Sequence, residues 1–195
     1  MREGSDSRNR RSIRLAGYDY SRAGYYFVTV CVNERRNLFG DIVGGKIMLN
    51  GAGIMVEDNW NKLQQRFQSI ELDEFIVMPN HLHGVIVIVG APLVGAQNGD
   101  LIADDGDDRA TTRVAPTLGD VIGAFKSITT NEYIRNVKNK NWLSFNKYFW
   151  QRNYYERVIR DDNDLNRIRE YIVNNPAKWE EDEYYVDNYG LDASE

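Results

Sequence analysis

The hydrophobic positions of this chain switch between a strand-like rhythm and a helix-like one. Tyr25 to Asn33 is a β-branched and aromatic run and predicts a strand. Residues 37–50 read as two short strands around Gly44-Gly45, a hairpin signal. From Gly53 to Ile70, apolar residues at Ile54, Val56, Trp60, Leu63, Phe67 and Ile70 recur near helical spacing and predict an amphipathic helix packed on a sheet. Leu72 to Met78 predicts a second core strand, Pro79-Asn80 a turn, and His81 to Val89 a third strand. That third strand is apolar on both faces beyond Gly84, as a central strand should be. Thr117 caps a helix reaching about Val137, with Leu118, Val121, Ile122, Phe125, Ile128 and Ile134 on one side. Phe149 to Ile159 suits a fourth strand. Asp161 and Asp162 offer N-caps for a last helix over residues 163–174, which Pro176 stops.

With the small hairpin set aside, the order is βαββαβ followed by a helix. This is the split βαβ pattern and predicts an α+β, ferredoxin-like (RRM-like) antiparallel sheet. Helices cover one face, the other is left free for a ligand, and a C-terminal helix is added. Residues 90–116, rich in Gly, Ala and Asp, break the pattern and read as a mobile acidic insertion. Residues 1–14 read as a flexible basic arm, 15–179 as one catalytic domain, and 180–195 as an acidic surface tail.

Charge refines this outline. The total is −5, but residues 100–109 carry −4 and residues 180–195 carry −7, so the remainder of the chain is at +6. A basic body with acidic appendages is compatible with a polyanionic partner. The single cysteine, Cys31, excludes a disulfide framework and a cysteine-rich zinc module, and its strand-like setting reads as a buried thiol. A polar, basic N-terminus predicts no signal peptide, and no apolar run is long enough to span a bilayer. A soluble, cytoplasmic protein with no membrane partner is expected.

The candidate chemistry starts at the two histidines, His81 and His83. Strand alternation points them to one face and Leu82 to the other. Such a pair is either packing or half of a metal site. In the last helix, at about 100° per residue, Leu165, Ile168 and Ile172 form the packing stripe. Tyr171 and Asn175 lie one turn apart at its edge. Asn175 precedes Pro176, which disfavours the α conformation and leaves its direction open. Two imidazoles and an amide oxygen make an open N/O site suited to Mg²⁺ or Mn²⁺ and tolerant of Zn²⁺ or Ni²⁺. A neighbouring tyrosinate would be the nucleophile, provided that the metal or basic groups stabilise a phenolate of ordinary pKa near ~10. Tyr154 and Tyr155 are rival nucleophiles, but only Tyr171 pairs with an amide at helical spacing.

Three strings together, Met78-Pro79-Asn80-His81-Leu82-His83-Gly84, Trp150-Gln151-Arg152-Asn153-Tyr154-Tyr155 and Tyr171-Ile172-Val173-Asn174-Asn175-Pro176, closely resemble the REP-associated tyrosine transposases, single-tyrosine members of the HUH nucleases. The resemblance covers roughly residues 12–179. It implies His81, His83 and Asn175 as metal ligands and Tyr171 as nucleophile. It also implies cleavage of single-stranded DNA beside a hairpin, through a 5′-phosphotyrosine link and a free 3′-OH, without ATP. The protein would then be a transposase, active as a monomer or homodimer on hairpin-ended single strands. Arg11, Arg14, Lys126, Arg152 and Arg157 are the phosphate-contact candidates, while Trp150 and Tyr154 either stack on bases or pack in the core. Two other readings stay open: a catalytically silent hairpin-binding regulator, and a rolling-circle replication nuclease.

Overall fold

The computed structural model describes residues 19–89 and 116–187. The basic arm, including Arg11 and Arg14, and nearly all of the acidic insertion lie outside these residues. Strands β1 (Gly24–Cys31), β4 (Ile70–Val77), β5 (His81–Ile88) and β6 (Tyr155–Ile159) form one antiparallel sheet in the order β4-β5-β1-β6. A separate hairpin, β2 (Gly40–Val43) and β3 (Lys46–Leu49), turns at Gly44-Gly45, whose φ values of 57° and 73° suit glycine. The strand order and the two crossovers are those of the ferredoxin-like fold.

Alternation along the central strands divides the interior in two. Tyr26, Val28 and Val30 of β1 and Leu82, Ile86 and Ile88 of β5 face helices α1 (Gly51–Asn61) and α3 (Leu118–Lys140). Asn50 caps α1 by accepting from the Ala52 and Gly53 amides, and Thr117 with Asp120 forms a capping box on α3. The opposite face holds Phe27 and Val85. Here α4 (Asp162–Asn174) packs Leu165, Ile168 and Ile172 against them and against Ile159. The face expected to be free is therefore partly covered by the last helix, and the covering residues are the stripe read from its sequence.

Three elements depart from their expected bounds. The first helix does not run to Ile70: α1 ends at Asn61, a single turn α2 (Leu63–Arg66) follows, and Phe67 turns extended. Ile70 is instead a strand residue opposite Ile88, because a ladder partner outweighs helical spacing at that point. The fourth strand is short. Trp150 makes only an isolated bridge to Val32, and regular pairing begins at Tyr155. Pro176 ends α4 as an α-helix, but a 3₁₀ segment, Asn175–Glu181, continues it.

Candidate active site

β5 is paired on both sides, so its side chains are positioned by two ladders. His83 lies opposite Thr29 of β1, and His81 opposite Cys31. Both imidazoles are buried, and their Nε2 atoms approach each other to 2.9 Å. His81 Nδ1 lies 2.8 Å from the Asn80 side-chain oxygen, and His83 Nδ1 lies 2.8 Å from Thr29 Oγ1. Asn80 is itself fixed, because its Nδ2 donates to the carbonyls of Arg35 and Tyr184. Each ring is thus oriented through Nδ1 and directs Nε2 to a shared point, the way metal-binding histidines are held.

α4 brings the tyrosine to that point. The Tyr171 hydroxyl is 3.2 Å from His83 Nε2, and its ring packs at 5.2 Å from the imidazole. Asn175 keeps α-helical angles (φ −58°, ψ −42°) despite the following proline, because the 3₁₀ continuation tolerates Pro176 in its first turn. Its Nδ2 donates to Asp182 Oδ2, and its buried Oδ1 has no hydrogen-bond partner. An unpartnered buried carbonyl oxygen is costly unless something binds it.

Asp182 completes the cluster. A carboxylate oxygen of Asp182 and one nitrogen each of His81 and His83 lie within 4.8 Å of one another, so the three side chains can gather around one ion. Composition hides this residue in the sequence, where it is one acid among seven in the tail. Its distance of seven residues from Asn175, bridged by the 3₁₀ turn, is the only local signal that could have found it.

Residues 182–184 lie against the pair. The Tyr184 ring lies 4.7 Å from His81, the Arg35 guanidinium lies over the Tyr184 ring at 5.2 Å from its centroid, and Arg35 Nη1 donates to the Glu183 carbonyl. Burial under this cover holds the His81 pKa well below its ordinary value, with the charge of a protonated His83 and that of Arg35 adding to the effect. Burial lowers His83 to about 3. Both rings are therefore neutral, the form that ligates a metal. Tyr171 is pushed up to about 12, first by burial and then by the Asp182 and Glu183 carboxylates, so it is a phenol at neutral pH. It remains 43% exposed, where two open clefts of about 590 and 530 Å³ meet.

The remaining candidates divide among several places. Arg157 lines the same cleft as Thr29, His83 and Tyr171 and donates to Asp164 at 2.7 Å. Arg167, which the sequence reading missed, shares that cleft and that carboxylate. Its place one helical turn before Tyr171 would have revealed it. Arg152 is exposed on a separate surface beside Lys147 and Tyr148. Lys126 is not a free phosphate contact, because its ammonium donates to the carbonyls of Gln151 and Asn153 and lies over the Tyr154 ring. Burial lowers its pKa to about 8. Trp150 packs in the core, donating from Nε1 to Thr129, and offers no face to a base. Tyr154 also packs against that core. The rival Tyr155 is exposed on the same cleft as Tyr171, edge-on to Phe27.

No helix among the described residues is long and apolar enough to cross a membrane. No family model matches the chain. An uncharacterized protein of Haemophilus influenzae is 39% identical over 186 residues, spanning 92% of this chain and 94% of that protein. Among solved structures, a REP-associated tyrosine transposase bound to a REP hairpin superimposes with a TM-score of 0.54 at 19% identity, over 85% of this chain and 74% of that one. The chain belongs to one family with the Haemophilus influenzae protein, and its fold is that of the REP-associated tyrosine transposase.

Proposed function

We propose that this protein is a metal-dependent single-stranded DNA endonuclease and strand transferase that acts at DNA hairpins through a 5′-phosphotyrosine intermediate. The observation that carries this reading is the Tyr171 hydroxyl 3.2 Å from His83 Nε2, at the point where both histidines converge. The donor set fits a divalent cation such as Mg²⁺ or Mn²⁺. His81 and His83 would hold it through Nε2, and the unpartnered Asn175 Oδ1 and the Asp182 carboxylate would supply hard oxygen ligands. When bound, the cation supplies Lewis-acid polarisation of a phosphoryl oxygen.

The chain's own residues do the rest. Tyr171 Oη forms the bond to phosphorus as the bond to the 3′-oxygen breaks, and the phenol's proton balances the alkoxide that leaves. One phosphodiester replaces another, so no nucleotide cofactor is needed. Arg157 and Arg167 border the cleft beside Tyr171 and provide charge for the flanking phosphates. Single-stranded DNA with hairpin ends is the partner of this reading, which is that of a transposase working as a monomer or homodimer.

The test is an adduct assay on a hairpin oligonucleotide with a single-stranded flank and Mn²⁺. Tyr171→Phe should abolish the covalent protein–DNA species, Tyr155→Phe should retain it, and a chelator should remove it. An adduct that survives in Tyr171→Phe and disappears in Tyr155→Phe would assign the nucleophile to Tyr155. The cover of Tyr184 over the histidines favours one second reading, a silent hairpin-binding regulator. That reading predicts hairpin binding with no adduct at any Mn²⁺ concentration.

A further inference from the structure

α4 carries Tyr171 across the histidine face on an apolar stripe of Leu165, Ile168 and Ile172. Apolar contact has no preferred direction, so the stripe holds the helix down without fixing its rotation. Tyr171 stands beside the stripe, and a small roll of the helix moves its hydroxyl toward or away from the sheet. The groups that set this roll lie on the helix flanks.

At about 100° per residue, Asp164 and Tyr171 fall on one side of the stripe and Arg169 on the other. Asp164 accepts from Arg157 of β6 at 2.7 Å. Arg169 donates from Nε and Nη2 to the two carboxylate oxygens of Asp73 in β4, the first at 2.7 Å. β4 and β6 are the outer strands of the sheet, so α4 is tied at both edges. The Asp73 tie is the stricter one, because a two-pronged guanidinium–carboxylate pair fixes an angle as well as a distance. Arg169 is partly exposed, so the pair adds little to stability, and its effect is one of direction.

The sheet is locally altered at this tie. Leu72 lies opposite Ile86 and Phe75 opposite Gly84, so β4 has one residue more than β5 between them. Leu72 and Phe75 both pack on the α1–α3 side. The bulge therefore lets Asp73 turn to α4 without taking an apolar neighbour out of the core. Neither Asp73 nor Arg169 lines the clefts that meet at Tyr171, so neither touches a strand bound there.

We propose that Asp73, placed by the bulge in β4, is a positioning residue that acts through Arg169 to set the rotation of α4 and hence the reach of Tyr171 Oη. This deepens the nuclease reading above and rests on it.

Two measurements on the full chain test this. The first is the single-turnover rate of adduct formation with Mn²⁺ and a saturating hairpin oligonucleotide. Asp73→Ala should slow it about 10–100-fold, the scale of a nucleophile misplaced by about 1 Å, with affinity for the oligonucleotide unchanged. Arg169→Ala should be equally slow, and the double variant no slower than either. A purely stabilising pair would not separate rate from affinity in this way. The second is the nuclear Overhauser contact between the Tyr171 and Phe27 rings, whose centroids lie 6.1 Å apart. It should weaken in Asp73→Ala while the Ile168 and Ile172 methyls keep their contacts to the sheet. Asp73→Asn, which keeps the size and loses the charge, should show both effects should the alanine variant fail to fold. An undiminished rate or an unmoved ring contact would overturn the proposal, as would a double variant slower than either single one. No adduct from the unaltered protein would overturn the nuclease reading, and the ring contact alone would then decide whether Asp73 positions Tyr171.

Discussion

Gly84 shows how one motif can carry two unrelated requirements. The histidines of His81-Leu82-His83-Gly84 face α4, while Gly84 faces the other way, under Trp60. A Cβ there would sit 2.5 Å from Trp60 Cζ2, in a fully buried cluster where the indole also meets Phe125 edge-on at 5.3 Å. Gly84→Ala should therefore cost about 1–3 kcal/mol, the usual range for overpacking, measured as a shift in urea midpoint. A loss under about 0.5 kcal/mol, within the noise of surface substitutions, would mean that the indole moves freely. The histidine pair was legible because strand alternation is a local rule. The role of Gly84 was not, because the indole that demands it comes from 24 residues earlier in the chain.

At the scale of elements, the segment 182–184 matters most to the site. Its sequence reads as acidic surface, yet the Tyr184 carbonyl accepts from Asn80 and its ring lies against His81. Tyr184→Ala should admit water and raise the pKa of both histidines toward the ordinary value, because burial is the main cause of their depression. An NMR titration of the ring protons in the presence of chelator would show this, and unmoved pKa values would place the barrier elsewhere. The strand expected from Phe149 failed for a comparable reason. The Gln151 and Asn153 carbonyls go to the Lys126 ammonium rather than to a ladder, a contact across 25 and 27 residues. The last helix was read well, since its cap at Asp161 and its apolar stripe are both encoded within it.

At the scale of the whole molecule, the buried neutral histidines couple folding to acid. Their folded pKa values lie below the unfolded one near ~6.5, so below that pH the unfolded chain binds more protons than the native protein. This contribution is fully present above pH ~6.5 and is lost as the pH falls toward the folded value, about 3 for His83. With chelator present, stability should fall as the pH drops from 7 to 5, because the unfolded histidines take up protons that the buried rings do not. Denaturation curves at pH 7 and pH 5 measure the slope, and His83→Gln should make it shallower. An unchanged slope in that variant would assign the acid sensitivity to other groups.

The sequence by itself determined the element order, and with it the ferredoxin-like sheet. It also determined that His81 and His83 share a face and that Tyr171 and Asn175 share a helix edge. These follow from the periods of strand and helix, which a single segment expresses without its neighbours. Only the tertiary structure decided that α4 crosses the face carrying the histidines, that Asp182 and Thr29 reach them, that backbone carbonyls hold the Lys126 ammonium, and that Trp150 is buried in the core. Those outcomes depend on which unpaired donors, acceptors and apolar faces meet once distant segments pack, and no local period records that.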